Sequence, residues 1–119
     1  MSRKSRGCDY ERKLVHLLQE KGFYSVRVAG SGCMRYPSPD ILASNGFRLI
    51  AFEVKSTQSD RVYLKPKDLS DLLEFSCGFR AEPWFAVHLF GLGWFFKSAS
   101  ELRDLKVLRL DEKNTNRHF

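Results

Sequence analysis

The chain has 119 residues, the size of one ordinary domain, which is enough to bury a core but too little to build two. Apolar residues make up 43% and aromatics 13%, which excludes a disordered chain. Lys and Arg number 20 against 14 Asp and Glu, and the resulting net charge of +6 favours a polyanionic partner such as nucleic acid. A basic surface that only aids solubility is the plainer alternative.

Taken in order, the chain opens with a basic segment, 1–6, expected to be a mobile arm. Tyr10, Leu14, Leu17 and Leu18 then recur at helical spacing, and Gly22 supplies a stop. This predicts a first helix over about 6–21. A short strand follows at 24–28, then a loop punctuated by Gly30, Ser31, Gly32, Pro37, Ser38 and Pro39. A hairpin is expected with strands at 40–43 and 47–56, turning at Ser44-Asn45-Gly46. Another short strand is expected at 62–64. Pro66 is suited to a first helical position, and Leu69, Leu72, Leu73 and Phe75 give the second helix an apolar side. Strands at 84–89 and 94–97 form a second hairpin around Gly91-Leu92-Gly93. A short helix at 101–105, a last strand at 107–110 and a polar, frayed tail at 111–119 complete the reading. The order predicts a single α/β domain over 1–119, with a central mixed sheet flanked by helices.

Cys8, Cys33 and Cys77 are odd in number and far apart, without a Cys-x-x-Cys pair, which argues against a zinc ribbon or a redox motif. His16, His88 and His118 also lack metal-ligand spacing. Free thiols fit a reducing, intracellular setting. No apolar signal region follows the basic start, and the most apolar stretch, 83–96, is short and broken by His88, Gly91 and Gly93. The expectation is a cytoplasmic protein with no membrane contact.

Three groups of residues share one chemistry. Glu53 and Lys55, two apart on a strand, project to one side while Phe52 and Val54 face the other. Asp40 follows a proline that disfavours helix before it, at the opening of the partner strand. The hairpin can therefore bring two carboxylates together beside a lysine. Such a pair repels unless a cation intervenes, and a hard divalent cation such as Mg²⁺ suits carboxylate and carbonyl oxygens. The Val54 carbonyl is a candidate third ligand. Lys55 can orient a water or stabilise charge on a phosphate. On a bare strand the same Glu-x-Lys would be an ordinary surface pair. Glu11 lies at the border of the first helix's buried face, where it either reaches the metal or pairs with a nearby cation. Arg3, Lys4, Arg6, Arg12, Arg27, Lys65 and Lys67 are candidate phosphate contacts, and the backbone of Gly30-Ser31-Gly32 is a candidate phosphate cradle. The many aromatics between Phe75 and Phe96 are mostly core, with some expected at a dimer face.

These motifs resemble the archaeal-type Holliday junction resolvases, members of the restriction-endonuclease-like PD-(D/E)xK nucleases. The resemblance spans about 3–107. It rests on 7–18 with Glu11-Arg12, on 26–31, on Pro37-Ser38-Pro39-Asp40, on Glu53-Val54-Lys55, and on Leu73-Glu74-Phe75-Ser76 with Phe79. The closing Gly93-Trp94-Phe95-Phe96 is similar too. The resemblance implies that Asp40 and Glu53 are metal ligands, Lys55 the catalytic lysine, Glu11 the helical acid and Ser31 part of the catalytic loop. Arg12 and Arg27 would be important basic positions. It implies a homodimer that cuts four-way DNA junctions in paired, symmetric nicks with Mg²⁺, or Mn²⁺ in its place, and recombination or replication proteins as further partners. The segment Cys33-Met34-Arg35-Tyr36 departs from the pattern. Two other readings stay open: a related repair or restriction-like nuclease on other DNA structures, and a non-catalytic junction-binding protein.

Overall fold

The computed structural model describes residues 3–30, 35–102 and 106–119, with side chains from residue 9 onward. Helix α1 (Arg3–Glu20) leads into β1 (Tyr24–Arg27), β2 (Ile41–Ser44), β3 (Leu49–Thr57) and β4 (Arg61–Tyr63). Helix α2 (Pro66–Phe79) is followed by β5 (Glu82–Leu89), β6 (Gly93–Ser98), a 3-10 turn (Ala99–Glu101) and β7 (Val107–Arg109). The main sheet has the order β1-β2-β3-β5-β6, and β4 pairs with β7 in a separate two-stranded sheet. All pairings in the main sheet are antiparallel except β3 with β5, which run parallel because α2 carries the chain back across the sheet between them. The expected mixed α/β sheet is therefore present.

Strand alternation divides the core in two. On the α1 side, Leu14 and Leu18 bury against Ile41, Ile50, Phe52, Ala86 and Phe96. On the α2 side, Leu69 and Leu72 bury against Ala51, Phe85, Val87 and residues of the small sheet, Val62 and Leu108. Neighbouring β3 residues thus serve opposite cores. A one-residue slip of β3 would exchange them and place Glu53 and Lys55 under α1.

Several boundaries differ from the sequence expectation, each for a local reason. Helix α1 takes in residues 3–6, which were expected to form an arm. The β2–β3 turn is longer than three residues. Asn45 Oδ1 accepts the N–H groups of Phe47 (2.9 Å) and Arg48 (2.7 Å), and the Asn45 N–H donates to the Arg48 carbonyl. Phe47 therefore belongs to the turn and is 96% exposed, while β3 begins at Leu49. Strand β5 starts earlier than expected, at Glu82. Its proline is tolerated because Pro83 precedes the first β5–β6 pair, Trp84 with Ser98. Ala99–Glu101 forms a 3-10 turn, and residues 103–105 of the helix expected at 101–105 lie outside the described ones.

The tail is the largest correction. It is folded, not frayed. Asp111 caps its own turn by accepting the N–H groups of Lys113 and Asn114, both at 3.0 Å, and Thr115 is buried. Asn116 forms a two-bond bridge with Phe96, at 2.7 and 2.8 Å. The Phe119 ring then packs edge-on against Phe23, Phe52 and Phe96, with centroids 5.5, 5.4 and 4.8 Å away. Arg48 fixes the end by donating to the Phe119 carbonyl at 3.0 Å while clamping Glu82 with two bonds.

Candidate active site

Asp40 is held by its backbone before its side chain acts. Its N–H donates to the Phe52 carbonyl (2.9 Å), and its carbonyl accepts the Val28 N–H (2.8 Å). The residue thus extends β2 by one position and stands across from Glu53, next to the Ile41–Phe52 pair. Asp40 Oδ2 then accepts the Val54 N–H at 2.8 Å. What the structure shows for Val54 is therefore its N–H, anchoring one carboxylate of the site.

The Glu53 carboxyl is pushed up to about 8, first by burial and then by the charge of Asp40, with Lys55 only partly offsetting them. In this protonated state Glu53 hydrogen-bonds to Asp40. Lys55 Nζ lies 3.7 Å from Glu53 Oε1 and 2.9 Å from Asp68 Oδ2. Asp40, Glu53 and Asp68 open into a cleft of about 400 Å³ lined also by Arg35, Tyr36, Ser38, Lys65, Lys67 and Asp71. The Ser38 hydroxyl in its wall is buried and has no hydrogen-bond partner among the described residues.

Two facing carboxylates, one of which holds its proton more tightly because it is buried and lies beside the other's charge, form a site short of positive charge. The donor set is hard oxygen, and it suits a hard divalent cation better than a thiophilic one. Among the described residues no three His, Cys, Asp or Glu side chains form a ready-made metal cluster. A cation here would rely on the two carboxylates together with backbone and water, which matches ions that keep much of their hydration.

The structure gathers only some of the expected residues. Asp40, Glu53, Lys65 and Lys67 line the cleft, and Lys55 adjoins it through its contacts with Glu53 and Asp68. Glu11 lies beside them rather than among them. Its carboxylate pairs with Arg27 Nε at 3.3 Å, and its pKa is raised by burial and by Asp40, against the opposing effect of Arg27. Arg12 sits further out on α1, 3.5 Å from Asp9 and well exposed. Arg3, Lys4 and Arg6 occupy the first turns of α1, and their side chains are outside the described set; Ser31 and Cys33 lie outside the described residues altogether. Sequence reasoning missed Asp68, Asp71, Ser38 and Tyr36. Asp68 had a usable signal. An acid three residues into a helix that opens Lys65-Pro66 is an N-terminal cap, and it shares a helix face with Asp71.

A mixed sheet that presents paired carboxylates into a cleft with basic walls, with a lysine beside them, defines a phosphodiester-cleaving nuclease of the restriction-endonuclease-like kind. Comparison with known proteins narrows the class. The family model for the archaeal Holliday junction resolvase (Hjc) matches residues 2–116. The crossover junction endodeoxyribonuclease Hjc of Archaeoglobus fulgidus is 39% identical over 110 residues, covering 92% of this chain and 81% of that protein. The Hjc enzyme of Sulfolobus acidocaldarius is 32% identical over 114 residues, covering 94% and 71%. The solved structure of A. fulgidus Hjc, a Holliday junction resolvase, superposes with a TM-score of 0.76 at 36% identity, covering 90% of this chain and 82% of that one. The chain belongs to the archaeal Holliday junction resolvase family, a family of metal-dependent nucleases. No described helix is long and apolar enough to cross a membrane.

Proposed function

We propose that this protein is a structure-selective endonuclease that resolves four-way DNA junctions by paired, Mg²⁺-dependent phosphodiester hydrolysis, acting as a homodimer in the cytoplasm. The observation that carries the reading is the Asp40–Glu53 carboxyl pair with Lys55 beside it, set in a cleft of a chain from this family.

Asp40 and Glu53 would hold the cation, with the Val54 backbone and Glu11 as the further donors inferred from sequence. When bound, the ion supplies an acidified water and neutralises charge on the scissile phosphate. The protein's own groups do the rest. The Val54 N–H orients Asp40. Glu53 would be ionised with a cation bound, since the cation would offset the burial and the Asp40 charge that raise its pKa. Lys55 brings a cation to the same side of β3, where it stabilises charge growing on the phosphate oxygens. Lys65 and Lys67 at the cleft mouth, with Arg3, Lys4, Arg6, Arg12 and Arg27, hold the phosphate backbone without reading sequence. Ser31 is the further catalytic residue inferred from sequence. Tyr36, 70% exposed on the cleft wall, offers a ring for a nucleotide to rest on.

The homodimer reading is supported by apolar side chains left at the surface. Phe79 is half exposed although it stacks on Phe75 of α2, and Phe90 is 68% exposed. A two-fold dimer places two such clefts to act on a roughly two-fold junction.

The test is a gel assay on a labelled four-way junction and its linear duplex, each with Mg²⁺ and with EDTA, beside Asp40→Asn. Paired nicks on the junction alone, requiring Mg²⁺ and Asp40, are expected. Equal cutting of the duplex would move the protein to a broader nuclease class. Tight junction binding without nicks would make it a binding module.

A further inference from the structure

We infer that Asp68 is a positioning residue for Lys55, tethering the lysine's ammonium to the first turn of α2 so that it stays beside Glu53. The inference deepens the proposed nuclease reading and rests on its assignment of Lys55.

Lys55 has two acidic neighbours. The closer is Asp68, whose Oδ2 accepts its Nζ at 2.9 Å; Glu53 stands 3.7 Å away, beyond hydrogen-bond length. The two acids differ in what else they must do. Glu53 faces Asp40, where a cation would take up its oxygens. Asp68 carries no such demand, so its contact with Lys55 can persist through the reaction.

Asp68 is itself immobilised. The same Oδ2 accepts the Lys65 N–H at 3.1 Å, and the Asp68 N–H donates back to the Lys65 carbonyl at 2.9 Å. Pro66 opens the helix there, and the N-terminal end of a helix favours a carboxylate. Leu69 and Leu72 bury the following turns against Ala51 and Phe85. The separation between α2 and β3 is therefore set by the core. A free lysine loses rotamer entropy when fixed. The tether removes that freedom in advance, and the Lys55 side chain is 23% exposed.

The experiment uses the full-length protein with Asp68→Asn, Asp68→Glu and Lys55→Ala. Asn keeps an acceptor for the Lys65 N–H but loses the charge that holds Lys55. Single-turnover junction cleavage with Mg²⁺, junction binding in EDTA, thermal unfolding and the NMR signal of the Lys55 ammonium are compared. Asp68→Asn should slow cleavage about tenfold or more, the scale of a charged hydrogen bond. Binding and melting temperature should stay unchanged, and the ammonium signal, protected from exchange in the wild type, should be lost. Asp68→Glu should recover part of the rate. Wild-type cleavage by Asp68→Asn, with Lys55→Ala inactive, would overturn the tether and leave the nuclease reading standing. A loss of rate that follows a fall in melting temperature would make Asp68 a helix cap only, and would also overturn it. Wild-type cleavage by Lys55→Ala would instead overturn the assignment of Lys55.

Discussion

The two faces of β3 are built to opposite rules. Toward α1, Ile50, Phe52 and Val54 join an aromatic core closed by Phe96 and Phe119. Toward α2, the apolar run stops after Ala51, and Glu53 and Lys55 occupy the next two positions on that face. One face gains stability from apolar burial. The other carries a half-buried carboxyl pair that costs stability whenever both are ionised. The strand is thus a stable beam on one side and an electrostatically loaded site on the other, and a single residue step separates the two roles.

The comparison is broken most severely from the charged side. Glu53→Gln removes one acid of the pair and should lower junction cleavage by roughly 10²–10³-fold or more, the scale seen when one group stabilising transition-state charge is lost. Junction binding in EDTA should persist, and a variant that cuts near the wild-type rate would show the site is elsewhere. From the apolar side, Phe52→Ala should cost about 3–5 kcal/mol in denaturant unfolding, because the ring is fully buried between Phe96 and Phe119.

A pH series sharpens the same contrast. In the metal-free fold Glu53 keeps its proton up to about 8, whereas in the unfolded chain it releases it near 4.5. Between those values the folded state binds more protons, so raising the pH favours unfolding. This group's contribution is fully present below 4.5 and is lost as pH rises through 8. Its slope is about 1.4 kcal/mol per pH unit at most. Unfolding curves of Glu53→Gln should lack that slope, making the inactive variant the more stable one at pH 8. Mg²⁺ should flatten the wild-type slope, and cleavage should rise with pH toward 8, because cation binding displaces the proton. The smallest effect is expected at Arg48→Ala. The Arg48–Glu82 clamp is partly exposed and should be worth about 1 kcal/mol or less. Cleavage should be unaffected, since the clamp lies at the other end of β3 from Lys55.

Local chemistry made much of this fold legible in the sequence. The start of α2 at Pro66 and the two hairpin turns follow from residues within a few positions of one another, and the first hairpin then brings Asp40 across from Glu53. The same holds for the lysine, which strand alternation alone puts beside Glu53. Contacts that join distant segments were not legible. For Glu11 the sequence could not name its cation partner, and the packing of α1 against β1 supplies Arg27, 16 residues on. Asp68 was hidden because its cap partner is a lysine backbone rather than the usual serine or threonine box. The tail reads as polar, yet one aromatic ring at its end outweighs that composition once a slot exists among Phe23, Phe52 and Phe96.

That slot also sets the order in which the molecule can be made. The α1-side core draws on Phe23 near one end of the chain and Phe119 at the other. Chains emerge from the ribosome N-terminus first and begin to fold as they appear. Helix α1 and the first hairpin are available early, but the aromatic layer that seals them waits for the Phe119 ring, far downstream of Phe23. Such a long-range closure slows folding, and it lies on the face away from the cleft.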